Sequence, residues 1–326
     1  MKALSNDKGV IAAAAMDQRG SLKKSIAAAK GVPQDQVPNE MMEEFKVVVS
    51  RVLTPRASAI LLDPEYGLPA AKARAKNAGL LLAYEETGYD FSKPGRLPDL
   101  LPHVSVKRLK QDMGADAVKI LLYYTPDDDA SINDIKQAFI ERVGAECEAW
   151  EIPFFCEFIV YDSKGGDEKG LEFAKVKPVL VTGAMKEFSK PQYKIDVLKV
   201  EVPINPVFVQ GSSVCKGPYA YTRAEALNLF RSAAAVAEKP FIYLSAGVAN
   251  HVFIENLTLA AESGTDYSGV LCGRATWQDG IKIYGEKGAN ALEDWLKTEG
   301  VKNIEAVNTA IAGAKPWYKK AGVAVA

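Results

Sequence analysis

Eight short apolar runs punctuate the chain, at 10–17, 57–63, 80–84, 117–123, 154–161, 197–202, 241–245 and 269–273. Most are rich in Ile, Leu, Val and Phe and carry few charges, the pattern of parallel strands covered on both faces. Between the runs the hydrophobic period becomes helical. Met42, Phe45, Val49 and Leu53 form one stripe, closed by Pro55. Ile132, Ile135, Phe139 and Val143 form another, with polar residues between them. Thr222 followed by Glu225 has the form of a capping box and predicts a helix start. Ala291, Leu292 and Trp295 belong to a further amphipathic stretch. The longest connection, 163–196, needs at least one helix.

Strands alternating with helices in this way predict an α/β protein, a single (β/α)8 TIM barrel with residues 1–326 as one domain. An open doubly wound sheet is the alternative. Neither GxGxxG nor GxxxxGK[ST] occurs, which weakens its nucleotide-binding versions.

Composition narrows the function. The chain is 48% hydrophobic and 25% charged, values of an ordinary folded protein. Forty Lys and Arg against 41 Asp and Glu leave a net charge of −1, so a nucleic-acid partner is not expected. No apolar run is long enough to cross a bilayer, and the first eight residues lack the apolar core of a secretory leader. A cytoplasmic protein without a membrane partner is expected. Cys147, Cys156, Cys215 and Cys272 lie far apart and read as reduced thiols. With only His103 and His251 and no CxxC, a His/Cys zinc site is nearly excluded.

The charges inside the apolar runs carry the chemistry. Alternate residues of a barrel strand point inward. Ala117, Lys119 and Leu121 share one face; Phe155, Glu157 and Ile159 share another; Val197, Lys199 and Glu201 a third. Helices outside the barrel place these charges in its lumen, where neighbouring strands would bring Lys119, Glu157 and Lys199 near one level. A buried structural ion cluster is the plain alternative. Isolated buried charges are expensive, however, and stability alone is often better served by apolar residues. A lysine beside a second cation in a low-dielectric wall has its ammonium form disfavoured. The neutral amine can attack a carbonyl and form a Schiff base, an electron sink for breaking the neighbouring carbon–carbon bond. A carboxylic acid beside it can shuttle the protons. Spacing alone leaves open which lysine is the nucleophile. No metal or other cofactor is called for.

Other strand ends add polar groups at the barrel mouth. Asp17 and Asp63 end the first two runs, where they can bind sugar hydroxyls, hold a lysine, or simply cap the next turn. Ser245-Ala246-Gly247 follows the seventh run and Gly273-Arg274 the eighth. Barrels frequently bind phosphate at these two loops, although each tripeptide alone is also a plain turn. His103, His251, Cys156, Cys272 and the tryptophans Trp150, Trp295 and Trp317 are assigned to surface or packing, and Asp127-Asp128-Asp129 to a solvated helix start.

Several motifs point to a known family. They are Met-Asp-Gln-Arg-Gly at 16–20, Leu-Leu-Asp-Pro-Glu-Tyr-Gly-Leu-Pro-Ala at 61–70 and Gly-Leu-Leu-Leu-Ala-Tyr-Glu at 79–85. Gly-Ala-Asp-Ala-Val-Lys at 114–119 and Ile-Pro-Phe-Phe at 152–155, with Glu157, follow. Ile-Asp-Val-Leu-Lys-Val-Glu-Val-Pro at 195–203, Tyr-Leu-Ser-Ala-Gly-Val at 243–248 and Gly-Val-Leu-Cys-Gly-Arg-Ala-Thr-Trp at 269–277 complete the set. Over about residues 9–295 the chain resembles the bacterial tagatose 1,6-bisphosphate aldolases of lactose and galactose catabolism, class I Schiff-base enzymes with a (β/α)8 fold.

The resemblance implies Lys199 as the Schiff-base lysine and Glu157 as the acid/base carboxylate. It implies Asp17, Gln18 and Lys119 as residues lining the site, and Ser245, Gly247, Gly273 and Arg274 as the phosphate loops. The implied reaction is reversible cleavage of D-tagatose 1,6-bisphosphate to dihydroxyacetone phosphate and D-glyceraldehyde 3-phosphate, without a metal and with tolerance of other ketohexose bisphosphates. A phosphosugar is then the small-molecule partner, and a homo-oligomer, in the first instance a dimer, is expected. The stretch 205–219 departs from the family pattern and bears on the substrate. A related branch cleaves 6-deoxy-6-sulfofructose 1-phosphate, and a phosphosugar-binding regulator on the same barrel is the non-enzymatic alternative.

Overall fold

A computed structural model describes residues 1–86, 88, 89 and 93–321. Eight parallel strands close into a barrel in sequence order: β1 (Ile11–Met16), β2 (Ala59–Leu62), β3 (Gly79–Ala83), β4 (Ala117–Tyr123), β5 (Phe154–Ile159), β6 (Val197–Val200), β7 (Phe241–Leu244) and β8 (Gly269–Cys272). The open-sheet alternative is thereby excluded. Every predicted run coincides with one strand; β3 starts one residue before its run, β4 matches its run, and the others are shorter than theirs.

Helices cover the outside. Two, α1 (Gly20–Lys30) and α2 (Asn39–Leu53), separate β1 from β2. α3 (Leu68–Ala73) and α4 (Val106–Gln111) are short; α5 (Ala130–Ala149), α6 (Leu171–Phe188), α7 (Arg223–Ala235) and α8 (Asn250–Ser263) are longer. After β8 come α9 (Arg274–Trp277), α10 (Gly280–Trp295), α11 (Val301–Ala310) and α12 (Trp317–Ala321). The Thr222 side chain caps α7 and Glu225 closes the reciprocal bond, as the sequence pattern predicts.

Two apolar layers follow from the strand period of two. Outward residues such as Leu62, Val118, Phe158 and Leu198 pack against the helices. Inward residues Ile11, Ala13, Ala15, Leu61, Leu81, Ala117, Phe155, Val197, Ile242 and Leu271 fill the lumen. The small side chains of β1 make room for Phe155. Gly269 has φ +128°, and a Cβ there would sit 2.0 Å from the Ile11 carbonyl oxygen, so only glycine fits this strand junction. Leu4 and Trp317 pack on the lumen cluster, with Trp317 N–H donating to Gly9 O at 2.9 Å.

One helical stripe differs from its prediction. On α5 the buried face is Asn133, Lys136, Ile140, Val143, Gly144 and Cys147, whereas Ile135 is 53% exposed. The face is turned because Gly144 packs on the Tyr193 carbonyl, where a Cβ would clash at 1.9 Å, and because buried Lys136 donates to Tyr161 Oη at 2.7 Å. The acidic triplet is also less solvated than expected. Asp129 caps α5, but Asp128 is turned inward to Tyr161 and Lys136.

Candidate active site

On β1, β3, β4, β5 and β6 the inward face is apolar through the body of the barrel and then turns polar one step later. Ala15 is followed at that step by Asp17, Ala83 by Glu85, Ala117 by Lys119, Phe155 by Glu157 and Val197 by Lys199. The result is a charged layer standing on a hydrocarbon floor of Phe155, Val197, Ala117, Ala15 and Leu81. Such a floor weakens dielectric screening and strengthens each charge interaction above it.

Lys119 stands at the centre of that layer and is fully buried. Its Nζ donates to Asp17 Oδ2 at 2.7 Å and Glu85 Oε1 at 2.8 Å, and lies 2.9 Å from Glu157 Oε2. Lys199 Nζ donates to the same Glu157 oxygen at 2.7 Å. Glu157 is in register with Lys199, while Lys119 is in register with Phe155, one inward position lower. The long lysine stem bridges that step. The three residues therefore meet as expected, with the carboxylate between the two amines.

The electrostatics differ from the expectation of a depressed lysine. Burial pulls the Lys119 pKa down, but Asp17, Glu157 and Glu85 together hold it well above the usual lysine value. Asp17 is partly exposed, and the charges of Lys119 and Lys199 overcome its desolvation to keep its carboxyl well below the ordinary range. Glu85 is pushed up, because its burial outweighs the help from Lys119 and Arg19. Lys119 is thus a fixed ammonium, and Asp17 a fixed carboxylate.

Glu85 and Arg19 were not among the sequence candidates. Glu85 Oε2 accepts from Leu121 N–H at 3.0 Å, and Arg19 Nη2 donates to the Glu85 carbonyl at 2.9 Å. The signal for Glu85 was available: it continues the inward alternation Leu81, Ala83. Gln18 lies beside Asp17, donating Nε2–H to Oδ1 at 3.3 Å; its buried Oε1 has no partner among the described residues.

Asp63 is placed elsewhere. It is fully buried under α2, where it pairs with Lys46 and accepts from Tyr66 N–H at 2.7 Å. Of the roles its sequence position allows, holding a lysine and capping the next turn are the ones these contacts show. Glu201 also leaves the cluster: it accepts from Val160 N–H at 2.9 Å and pairs with Lys177 of α6 at 3.0 Å.

The loops after β7 and β8 lie together. Ala246 and Gly247 have φ of +48° and +72°, successive left-handed residues of the kind that turn backbone N–H groups toward an anion. A Cβ on Gly247 would fall 2.5 Å from Arg274 Cζ, so the guanidinium lies directly on this glycine. Arg274 is exposed, and no carboxylate pairs with it among the described residues. A Cβ on Gly273 would lie 2.9 Å from Ala15 O, which brings this turn onto the end of β1. Ser245 and Cys272 are buried beside it, and the Cys272 thiol feels both Ser245 and Lys199.

The stretch 205–219 is tied to the helical shell. Ser213 Oγ donates to Glu255 of α8 at 2.7 Å, and Glu255 also pairs with Arg223 at 3.5 Å. His103 and His251 are exposed, and Cys156 and Cys272 pack in the core.

Comparison with known proteins agrees with this geometry. A model of the DeoC/LacD family aldolases matches residues 11–279. The chain is 55% identical over 324 residues to tagatose 1,6-diphosphate aldolase 2 of Enterococcus faecalis, covering 99% of this chain and 96% of that protein. It is 53% identical over 323 residues to tagatose 1,6-diphosphate aldolase of Listeria innocua, covering 99% and 94%. Among solved structures, a fructose-bisphosphate aldolase from Plasmodium falciparum superposes with a TM-score of 0.68 at 14% identity, covering 96% of this chain and 93% of that one. A Schiff-base-forming fructose-1,6-bisphosphate aldolase gives a TM-score of 0.54 at 13% identity, covering 91% and 96%. At those identities the likeness speaks for the fold.

Proposed function

Since the chain belongs to the DeoC/LacD family of aldolases, we propose that it is a class I enzyme using Lys199 to cleave D-tagatose 1,6-bisphosphate to dihydroxyacetone phosphate and D-glyceraldehyde 3-phosphate. The observation that carries the choice of nucleophile is the asymmetry of the two lysines. Lys119 meets three carboxylates and is held as an ammonium, whereas among the described residues Lys199 pairs only with Glu157. A Schiff base needs a neutral amine beside a group that can take its proton. Lys199 has one carboxylate beside it to take its proton, whereas the Lys119 ammonium is shared among three.

Each residue then has a task in the proposed sequence. Lys199 Nζ gives its proton to Glu157 and adds to the substrate C2 carbonyl. Glu157 returns that proton to the oxygen to give the carbinolamine, then carries a second proton from the nitrogen to the hydroxyl, which leaves as water. Lys119 fixes Glu157 between the two amines. Within the resulting iminium the C3–C4 bond breaks, its electron pair passing to nitrogen to give an enamine. The C4 hydroxyl proton goes to Glu157, and the aldehyde departs. Protonation of the enamine at C3 and addition of water release dihydroxyacetone phosphate and the free lysine.

Asp17, kept ionised by Lys119, and the unpartnered Gln18 Oε1 are acceptors for substrate hydroxyls. The backbone at Ser245, Gly247 and Gly273, with Arg274, holds a phosphate. Phosphate binding then orients the reacting carbons, so its energy is expressed in kcat as well as KM. An enamine built on the three-carbon half leaves the incoming aldehyde face loosely controlled, which supports tolerance of other ketohexose bisphosphates. The free thiols Cys147, Cys156 and Cys272 are buried, in keeping with work in the reducing cytoplasm.

Borohydride trapping with dihydroxyacetone phosphate, followed by peptide mass mapping, is the decisive experiment. The expected result is a reduced three-carbon adduct on Lys199. An adduct on Lys119 would reverse the two lysine roles. No adduct from folded, ligand-binding protein would remove the Schiff-base mechanism.

A further inference from the structure

Lys46 is a lysine where a helix should be apolar. It lies in the buried stripe of α2 with Met42, Phe45 and Val49, wholly inaccessible, and outside the barrel wall. Its ammonium has three donors and three acceptors: Met16 O at 2.9 Å, Gln18 O at 2.9 Å, and the Asp63 carboxylate. Asp63 is equally inaccessible and is itself anchored by Tyr66 N–H. A buried ion pair is poor value as a stabiliser, since apolar residues of similar volume often serve as well or better.

The two carbonyls that Lys46 grips belong to the residues on either side of Asp17. Peptide units are planar, so these contacts fix the 16–17 and 18–19 planes, and the backbone of Asp17 and Gln18 must join one held plane to the other. Asp17 then points its Oδ2 at Lys119 from the opposite side of the strand end. Gln18, whose carbonyl is one of the two held, carries the unpartnered Oε1. We propose that the Lys46–Asp63 pair is a positioning device that aims Asp17 and Gln18 at the substrate through the backbone of the turn after β1. This inference rests on the proposed role of Asp17 in holding a substrate hydroxyl.

A double-mutant cycle separates positioning from plain stability. Lys46→Met, Asp17→Asn and the combined variant are compared for bisphosphate cleavage, with borohydride trapping of dihydroxyacetone phosphate on Lys199 as a second readout. A misaimed group costs on the order of 10²-fold in turnover. Lys46→Met is expected to lower kcat by that order. The combined variant should then be slower than Asp17→Asn by much less than the Lys46→Met loss, since only Gln18 remains to be misaimed, with trapping on Lys199 preserved. Multiplicative losses, or full turnover in Lys46→Met, would overturn the inference. If Asp17→Asn turns over normally, the role given to Asp17 fails and this inference with it, while trapping on Lys199 still reports independently on the Schiff base. Should Lys46→Met not fold, Asp63→Asn takes its place in the same cycle, with a smaller loss expected because the two carbonyl contacts remain. Full turnover in that variant, or losses multiplying with Asp17→Asn, would then count against the inference.

Discussion

Lys199 and Glu157 face each other across the β5–β6 register, and the amine donates to Glu157 Oε2 at 2.7 Å. The same oxygen lies 2.9 Å from Lys119, so one carboxylate oxygen serves two lysines. That geometry gives Glu157 two jobs that a substitution can separate: holding charge and moving protons. Glu157→Gln keeps the shape and an acceptor oxygen but can no longer exchange a proton. General acid–base groups contribute roughly 10²–10⁴-fold, and kcat should fall within that range. Inhibition by inorganic phosphate should stay unchanged, because the loops after β7 and β8 are untouched. Unchanged kcat would refute the acid/base role.

Much of this site was legible because a barrel strand repeats every two residues. Once 117, 155 and 197 are read as inward, Lys119, Glu157 and Lys199 follow without further information. Glu85 obeys the same rule, but it lies one residue beyond the apolar run that ends at Tyr84. Asp63 obeyed it in parity only. Its strand stops at Leu62, and the turn held by Tyr66 N–H carries the carboxylate out of the lumen. Lys46 could not be read at all, since a lysine within a helical stripe looks like a solvated edge until its acceptors on two strand ends are known. For the same reason α5 turned the wrong face inward: apolar Ile135 lost to Lys136, whose partners lie on other loops. Local period fixes faces where a strand runs straight and fails where a buried polar group answers to a distant one.

Lys119 neutralises three carboxylates from three strand ends, and its removal has a predictable stability signature. Breaking a buried ion pair by deleting one partner costs about 3–5 kcal/mol, so Lys119→Met should melt well below the parent. The deficit should depend on pH. Without the ammonium, Asp17, Glu85 and Glu157 repel one another and their pKa values rise above those of the unfolded chain. The folded state then binds more protons than the unfolded state, and stability falls as pH rises through the carboxylate range. Thermal melts should show a larger deficit at pH 8 than at pH 5. A deficit independent of pH would mean that the cluster is not the origin of the loss.

Asp17 predicts the opposite slope in the parent. Its folded pKa is depressed by Lys119 and Lys199 below the unfolded value. Its contribution is therefore fully present above the unfolded aspartate pKa of about 3.9. It declines as pH falls below that value and is lost below the folded pKa. The melting-temperature gap between parent and Asp17→Asn should be flat from pH 7 to pH 5 and shrink below pH 4. A gap that widens on acidification would show that Lys119 does not hold this carboxylate ionised.

Gly247 and Arg274 make the most specific prediction for the phosphate loops. Gly247 has φ +72°, and a Cβ there would fall 2.5 Å from the Arg274 guanidinium carbon. An alanine side chain in the left-handed region costs roughly 1–2 kcal/mol, a loss that a barrel of this size tolerates. The steric demand falls on the far end of a flexible, exposed side chain, so the guanidinium swings away instead of the fold yielding. Gly247→Ala should therefore reproduce Arg274→Ala: KM rises, and kcat falls because phosphate binding orients the reacting carbons. Since both substitutions remove the same placed charge, the double variant should have a KM close to that of Arg274→Ala alone. Steady-state kinetics of the three variants decide the matter. If the KM increases multiply, the added Cβ does not act by displacing Arg274, and the loss lies in the backbone contact of Gly247 itself.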